Sequence, residues 1–376
     1  MLPKSRMIAA VEHREPDRVP VGEIGADWEI TDRALGVRTL YRAGWRGYTA
    51  LWEGRREEIV ESHVRDLIGL ARKFEWDFVV VPMMPPRRGS FRKPEMLSDY
   101  SWRDDRGRVW RYSPDGGSHA TVVESPSMTI EQLPDPETPI QVDSSRFEAV
   151  ERVVKELGKT HMVFVRVPDA TFPWEGVLGM DGYLERMVTE PEFIRKAVAF
   201  YTKRSIAYIE AAAAVGVDGV QAGNDYCDNR GPLMSPRLFR ELELPGLVAT
   251  VEAAHRKGLY FLEHSDGNTW RILDDLIGAG IDGWQGIEPR IGMDLKLLKE
   301  KYGEKVTFFG GVDCDTLVAG SQEQVEAEVS YAIRHAGRGG GLVLCSGNTL
   351  MPGTKYENYE AMLSAARKYG LYPIEG

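Results

Sequence analysis

The stretch "LEHSDGNTW" (262–270) sets a histidine, a serine, an aspartate and a glycine directly behind an apolar run. The preceding "GLYFLEHSDGN" reads as an inner strand over 259–263 that opens into a loop at His264. A histidine at such a strand end can be a metal ligand, a general base or a satisfied core residue, because neutral imidazole both binds zinc and moves protons near neutral pH. Asp266 in the same loop can accept from the imidazole and orient it, or can cap the loop. Other chemistry-bearing groups sit at comparable places. Asp225 and Asp228 lie in "NDYCDNRG", and one of the two is expected to face the site. Glu288 ends "GIEP" and Asp313 ends "GGVD", where carboxylates serve substrate or metal binding or cap the helix that follows. Trp174, with Met83, Met84, Phe172 and Trp284, follows strand ends and suits the rim of an aromatic substrate pocket.

The elements that position these residues are legible as a rhythm. Eight short apolar runs recur, each read as followed by polar or glycine residues and then a helical pattern. They lie at 18–23, 77–82, 162–168, 218–225, 259–267, 282–289, 306–313 and 341–348. Their length and β-branched or aromatic content favour strands, and amphipathic helical segments separate the last five. The segment "SPRLFRELELPGLVATVEAAHRKG" starts with Ser-Pro and stops at Gly258, as a helix does. Eight alternating strands and helices predict an α/β fold, a closed (β/α)8 barrel rather than an open sheet, with ligands at the carboxyl ends of its strands. Residues 91–125 break the pattern. They alternate polar and apolar around "DDRG" and "PDGG", which predicts a β-hairpin excursion after the second strand, standing outside the barrel. One domain over 1–376 is expected.

Composition bounds the function. The chain has 376 residues, 43% of them hydrophobic and 28% charged, as in an ordinary globular protein. Its net charge of −10 speaks against a broad nucleic-acid surface. No stretch approaches the roughly 20 apolar residues of a membrane span, and the N-terminus is broken by charges, so a cytoplasmic protein is expected. The three cysteines, Cys227, Cys314 and Cys345, form no CxxC pair and read best as small buried hydrophobes. "GGG" at 339–341 precedes a strand and lacks the Lys-Ser/Thr of a phosphate loop.

Four stretches, "HREPDRVPV", "HSDGN", "GEKVTFFGGVDCDTLVAGSQEQV" and "GNTLMPGTKYENYEAM", resemble the uroporphyrinogen decarboxylase superfamily from about residue 6 to the C-terminus. The resemblance implies a (β/α)8 barrel and one of two chemistries, tetrapyrrole decarboxylation or cobalamin-dependent methyl transfer. Where the decarboxylases carry an arginine-rich loop that clamps an acidic tetrapyrrole, this chain reads "GEIGADWEI", three acids and no arginine, which argues against a polycarboxylate. The superfamily's thiol-activating methyltransferases hold zinc by a His-x-Cys pair and a later cysteine. Here those cysteine positions are Asp266 and Asn348, so Asn348 is carried as a substrate-binding candidate.

The chain is more similar to methyl-ether-cleaving methyltransferases of O-demethylase systems, whose zinc motif spaces two glutamates and a histidine. Twenty-one residues before His264 stands Glu243, and fifteen before that Asp228. The resemblance therefore implies zinc on His264, Glu243 and Asp228, with His264 and Asp266 as catalytic residues. Asp225, Trp174, Glu288, Asp313 and Asn348 would face a small methylated substrate, a methoxylated aromatic first. The methyl group would pass to a Co(I) corrinoid. No Asp-x-His-x-x-Gly cobalamin signature occurs in the chain, so the corrinoid is expected on a partner protein. The superfamily is often dimeric, which makes a homodimer an expected assembly. The alternatives are a tetrapyrrole decarboxylase and a non-catalytic corrinoid- or tetrapyrrole-binding barrel.

Overall fold

Every apolar run picked out above becomes a strand of one parallel sheet. The computed structural model describes residues 1–89, 91–114 and 116–374. The barrel strands are β1 (Gly22–Glu23), β2 (Phe78–Pro82), β3 (Met162–Arg166), β4 (Gly219–Ala222), β5 (Tyr260–His264), β6 (Gly283–Gln285), β7 (Thr307–Val312) and β8 (Leu342–Ser346). They are hydrogen-bonded in that order, all parallel. Parallel bridges from Val21 to Leu344 and from Ala26 to Leu350 close the seam between β1 and β8. The Glu23 carboxylate completes it by accepting from Ser346 N and Oγ.

A repeated aspartate explains how neighbouring strands register. Asp77, Asp218 and Asp282 each precede an inner strand, and each carboxylate accepts from a backbone N–H of the strand before it: Val21, Val163 and Phe261 at 2.7–2.9 Å. These acids occupy positions where a strand start would leave a donor unsatisfied. Inside the barrel, Phe78, Phe164 and Phe309 pack edge to face with ring centroids 5.4–6.4 Å apart. Gly219 admits them, because a Cβ there would sit 2.5 Å from the Phe164 ring. The larger apolar layer lies between the strands and the surrounding helices.

The excursion differs from the expected hairpin. It is a four-stranded antiparallel meander of Glu95–Ser98, Ser101–Arg103, Val109–Tyr112 and Ala120–Glu124. "DDRG" and "PDGG" mark two of its turns; the third, across Asp99 and Tyr100, has neither glycine nor proline to announce it. Nor does the meander stand apart. Trp102 packs against Tyr48 and Trp52 of the helix Trp45–Trp52, with centroids 5.2 Å away. Tyr48 Oη accepts from Ala120 N at 2.8 Å. This aromatic seam sets the sheet over the carboxyl end of the barrel, where Trp110, His119 and Thr121 line a cavity.

Candidate active site

β5 ends at His264, which is 8% exposed and faces the barrel mouth. Its Nδ1 meets Gln285 Oε1. The Gln285 amide is itself fixed, because its Nε2 donates to Asn348 O at 2.8 Å and Ser346 O at 3.3 Å. Oε1 is therefore the acceptor, Nδ1 carries the proton, and Nε2 is left with a free lone pair. Facing that lone pair are Asp225 Oδ1 at 3.6 Å and Asp266 Oδ2 at 3.7 Å. Ligand atoms of Asp225, His264 and Asp266 all lie within 4.8 Å of one another.

The loops that bring these three together are held by two side-chain hydrogen bonds and one close backbone crossing. Asp266 N donates to Asp225 Oδ1 at 3.2 Å, and Asn348 Nδ2 donates to Asp266 Oδ2. Gly223, just past β4, has φ +148, and a Cβ there would lie 2.0 Å from His264 O. Only glycine allows the β4 loop to cross β5 this closely. Asp266 Oδ1 is buried without a hydrogen-bond partner among the described residues. Burial pushes the Asp266 carboxyl up to about 6, opposed by His264 and reinforced by Asp225 and Glu288.

A cavity of about 640 Å³ opens beside this trio. Tyr48, Trp110 and Trp174 form aromatic walls, and Arg42, Arg166 and Asp169 supply charge. Asp169 accepts from Gly223 N, and burial raises its carboxyl to about 6 against the pull of Arg166.

The model of the family described as "Uroporphyrinogen decarboxylase (URO-D)" matches residues 111–369. The chain belongs to the URO-D family. Relatives within and around it carry both chemistries. The chain is 25% identical over 197 residues to a "Methylcobamide:CoM methyltransferase MtaA" of Methanosarcina barkeri, covering 51% of this chain and 54% of that one. It is 26% identical over 253 residues to a "Uroporphyrinogen decarboxylase" of Nitrosococcus oceani, covering 63% and 66%. The chain thus spans about half the length of the first of these relatives and about two thirds of the second. Among solved structures, a "methyltransferase from Methanosarcina mazei" aligns over 98% of this chain and 99% of its own, with a TM-score of 0.74 at 20% identity. That likeness bears on the fold, and it agrees with the barrel.

Not every residue singled out in this URO-D sequence reaches the site. Glu243 does not meet His264. Pro245 lacks the N–H that would continue the helix, and the turn Phe239–Glu243 widens to π geometry. The Glu243 carboxylate is fully buried in the helix layer, accepting from Phe172 N at 2.7 Å and Tyr183 Oη at 2.8 Å. Burial lifts it to about 7. Asp228 is also elsewhere: it turns back on its own loop, binding Arg230 Nη2 at 2.8 Å and the N–H groups of Arg230 and Gly231. Asp225, held as the alternative to Asp228, takes the place beside His264.

Asp266 sits at Nε2 of His264, and Gln285 rather than Asp266 orients the ring. Trp174 lines the cavity. Asn348 reaches Asp266 and so acts through it. Glu288 accepts from Gly267 N at 2.8 Å and pins the His264 loop, whereas Asp313 caps the helix Cys314–Ala319 by accepting from Asp315 N at 2.9 Å. Phe172 and Trp284 are turned into the helix layer and contribute no rim. Cys345 packs inside the barrel, and Cys314 donates to Thr349 O at 3.7 Å.

The acids of "GEIGADWEI" make no repelling surface. Glu23 is buried on Ser346, Asp27 accepts from Arg42 Nε at 2.8 Å, and Glu29 accepts from Gly353 N at 2.7 Å. Each of these acids is taken up by a partner remote in the chain, which sequence order alone does not pair with it. Gln285, Arg166 and Asp169 were not singled out in the sequence. Gln285 in "DGWQGIEP" and Arg166 in "MVFVRVP" share one signal, a polar side chain on the inward phase of an apolar strand.

Proposed function

We propose that this URO-D family member is a methyltransferase that moves a methyl group from a small methylated donor, a methoxylated aromatic ether first, to the Co(I) corrinoid of a separate protein. The observation that carries the reading is the Asp225–His264–Asp266 trio, with a free Nε2 lone pair and an unpartnered buried Asp266 oxygen. One nitrogen and two carboxylate oxygens make a donor set that suits zinc and leaves a position for substrate. The residues present fit the ion, although not the set inferred from the motif spacing. When bound, zinc there supplies Lewis acidity to the oxygen from which the methyl group departs.

The chain's own residues do the rest. Gln285 holds the imidazole in the ligating tautomer, and Asn348 and Glu288 hold the loop that carries Asp266. Trp110 and Trp174 give an aromatic ring two faces to pack against and keep water from it. The exposed side of Asp225 marks where the cavity opens to solvent, and there a partner's corrinoid has access. The methyltransferase names of the Methanosarcina relatives support the reaction class. No described helix is long and apolar enough to cross a membrane.

Two measurements test the reading. The purified chain should contain about one zinc per chain. Mixed with a methoxylated aromatic and a separately reduced corrinoid protein, it should convert the Co(I) spectrum to that of methyl-cobalt. A second reading, tetrapyrrole decarboxylation, is favoured by the arrival of Arg42 beside the acid-rich loop and by the Nitrosococcus relative. Metal-free turnover that releases carbon dioxide from a porphyrinogen would establish it instead.

A further inference from the structure

The cavity wall two strands from His264 carries a guanidinium with no ion-pair partner among the described residues. Arg166 is the last residue of β3, on the inward phase of Phe164, so its side chain emerges at the barrel mouth and lines the cavity. It is partly buried, yet among the described residues it makes no hydrogen bond, ion pair or aromatic contact. Four other half-buried arginines have a carboxylate partner, Arg18 with Asp77, Arg42 with Asp27, Arg46 with Asp32 and Arg108 with Asp104, and Arg146 and Arg204 lie over tyrosine rings; Arg166 has neither. Taking a guanidinium part-way out of water without a partner costs free energy that folding does not recover. Asp169 and Glu175 are close enough to feel its charge, but neither is within ion-pair distance, and Asp169 is engaged by Gly223 N.

Position adds the second argument. β3 and β5 are separated by β4 alone, so Arg166 and His264 leave the sheet roughly 10 Å apart. A benzene ring with substituents at opposite ends covers such a span, and Trp110 and Trp174 line the same space. A guanidinium fork matches a planar or tetrahedral oxyanion through paired N–H bonds.

We infer that Arg166 anchors an oxyanion, a carboxylate, sulfonate or phosphonate, at the end of the substrate remote from the methyl group. The substrate is then an anion lying across the cavity from Arg166 to His264. This rests on the reading of the cavity as the substrate site, and it narrows the substrate class.

Calorimetric titration of the full chain tests it with four probes: methoxybenzene, and the same ring carrying a para carboxylate, sulfonate or phosphonate. At least one anion should bind about ten-fold or more tightly than methoxybenzene, consistent with a hydrogen-bonded charge pair, and the order among the three names the oxyanion. Arg166→Met should erase that preference, and Arg166→Lys should keep part of it. Circular dichroism confirms that both variants fold. No anion preference in the wild type, or a preference that survives in folded Arg166→Met, overturns the inference. Binding reports on Arg166 without turnover. If the preference holds but no methyl reaches a corrinoid, the proposed reaction fails and the anion site stands. Methyl transfer from neutral and anionic ethers at equal rates, unaltered in Arg166→Met, leaves the reaction standing and removes the anion site.

Discussion

The two ends of this barrel use the same residue types in opposite ways. At the amino end, Asp77 is fully buried and its carboxylate takes donors from Arg6, from Arg18 at 2.8 Å and from Val21 N at 2.8 Å. Arg6 in turn holds Asp17, whose carboxyl these contacts keep well below the ordinary range. At the carboxyl end, Asp266 keeps an oxygen without a donor, His264 presents an unused lone pair and Arg166 has no acceptor. Satisfied buried charges hold an architecture together, and unsatisfied ones are stable only where the surrounding fold imposes them. The difference separates stability from function within one barrel, as expected for this architecture.

The largest effect is expected at Asp77. Asp77→Ala would leave Arg18 without an ion-pair partner and Val21 N without its acceptor, and Arg6 with Asp17 alone, a loss of about 3–5 kcal/mol in urea unfolding. Asp266→Asn, which removes a partly unsatisfied buried carboxylate, should cost less than about 1 kcal/mol or raise stability. Equal losses at the two positions would dissolve the distinction between the ends.

His264→Ala comes next in size. With one ligand of three gone, zinc should fall below stoichiometry on metal analysis, and methyl transfer should drop by about 100-fold or more. Full zinc in that variant would show that the trio is not the metal site. Gln285→Leu sharpens the same point with a smaller effect. It leaves the donor atoms but frees the ring, and zinc affinity should weaken about 10- to 100-fold. An unchanged affinity in a competition with a chelator would mean that the tautomer is set by something other than Gln285.

A slope of stability with pH is expected as well. Burial raises the Glu23 carboxyl to about 8 and that of Glu243 to about 7, both above the value of 4.5 they would have in the unfolded chain. The folded state therefore holds these protons more tightly, and their contribution is fully present below about 4.5. It is lost as pH rises toward about 8, so thermal stability should decline across that window. Glu23→Gln keeps an acceptor for Ser346 N and cannot ionise, so it should flatten the slope. A slope equally steep in Glu23→Gln would assign the loss to other groups.

Much of the architecture was legible because it follows from local pattern. The eight inner strands stand where the short apolar runs stand, since a strand covered on both faces must be largely apolar. His264 at a strand end, with polar neighbours behind it, is a feature of the chain itself. The meander was half legible: two of its turns carry glycine and the third does not, while its docking onto Trp45, Tyr48 and Trp52 joins residues about fifty positions apart.

What the sequence determined by itself, then, is the strand–helix alternation, the acidic and aromatic character of the loops, and the histidine at the end of β5. Which acids accompany that histidine was decided only in three dimensions. Spacing along the chain selected Glu243 and Asp228, but a π turn ahead of Pro245 swings the first into the helix layer, and Arg230 draws the second away. Asp225 and Asp266 arrive instead because Gly223 lets one loop cross another at backbone contact. The pairing of Asp27 with Arg42 and the isolation of Arg166 have the same origin. A charge's meaning depends on what stands within a few ångströms of it, and folding, not sequence order, sets those neighbours.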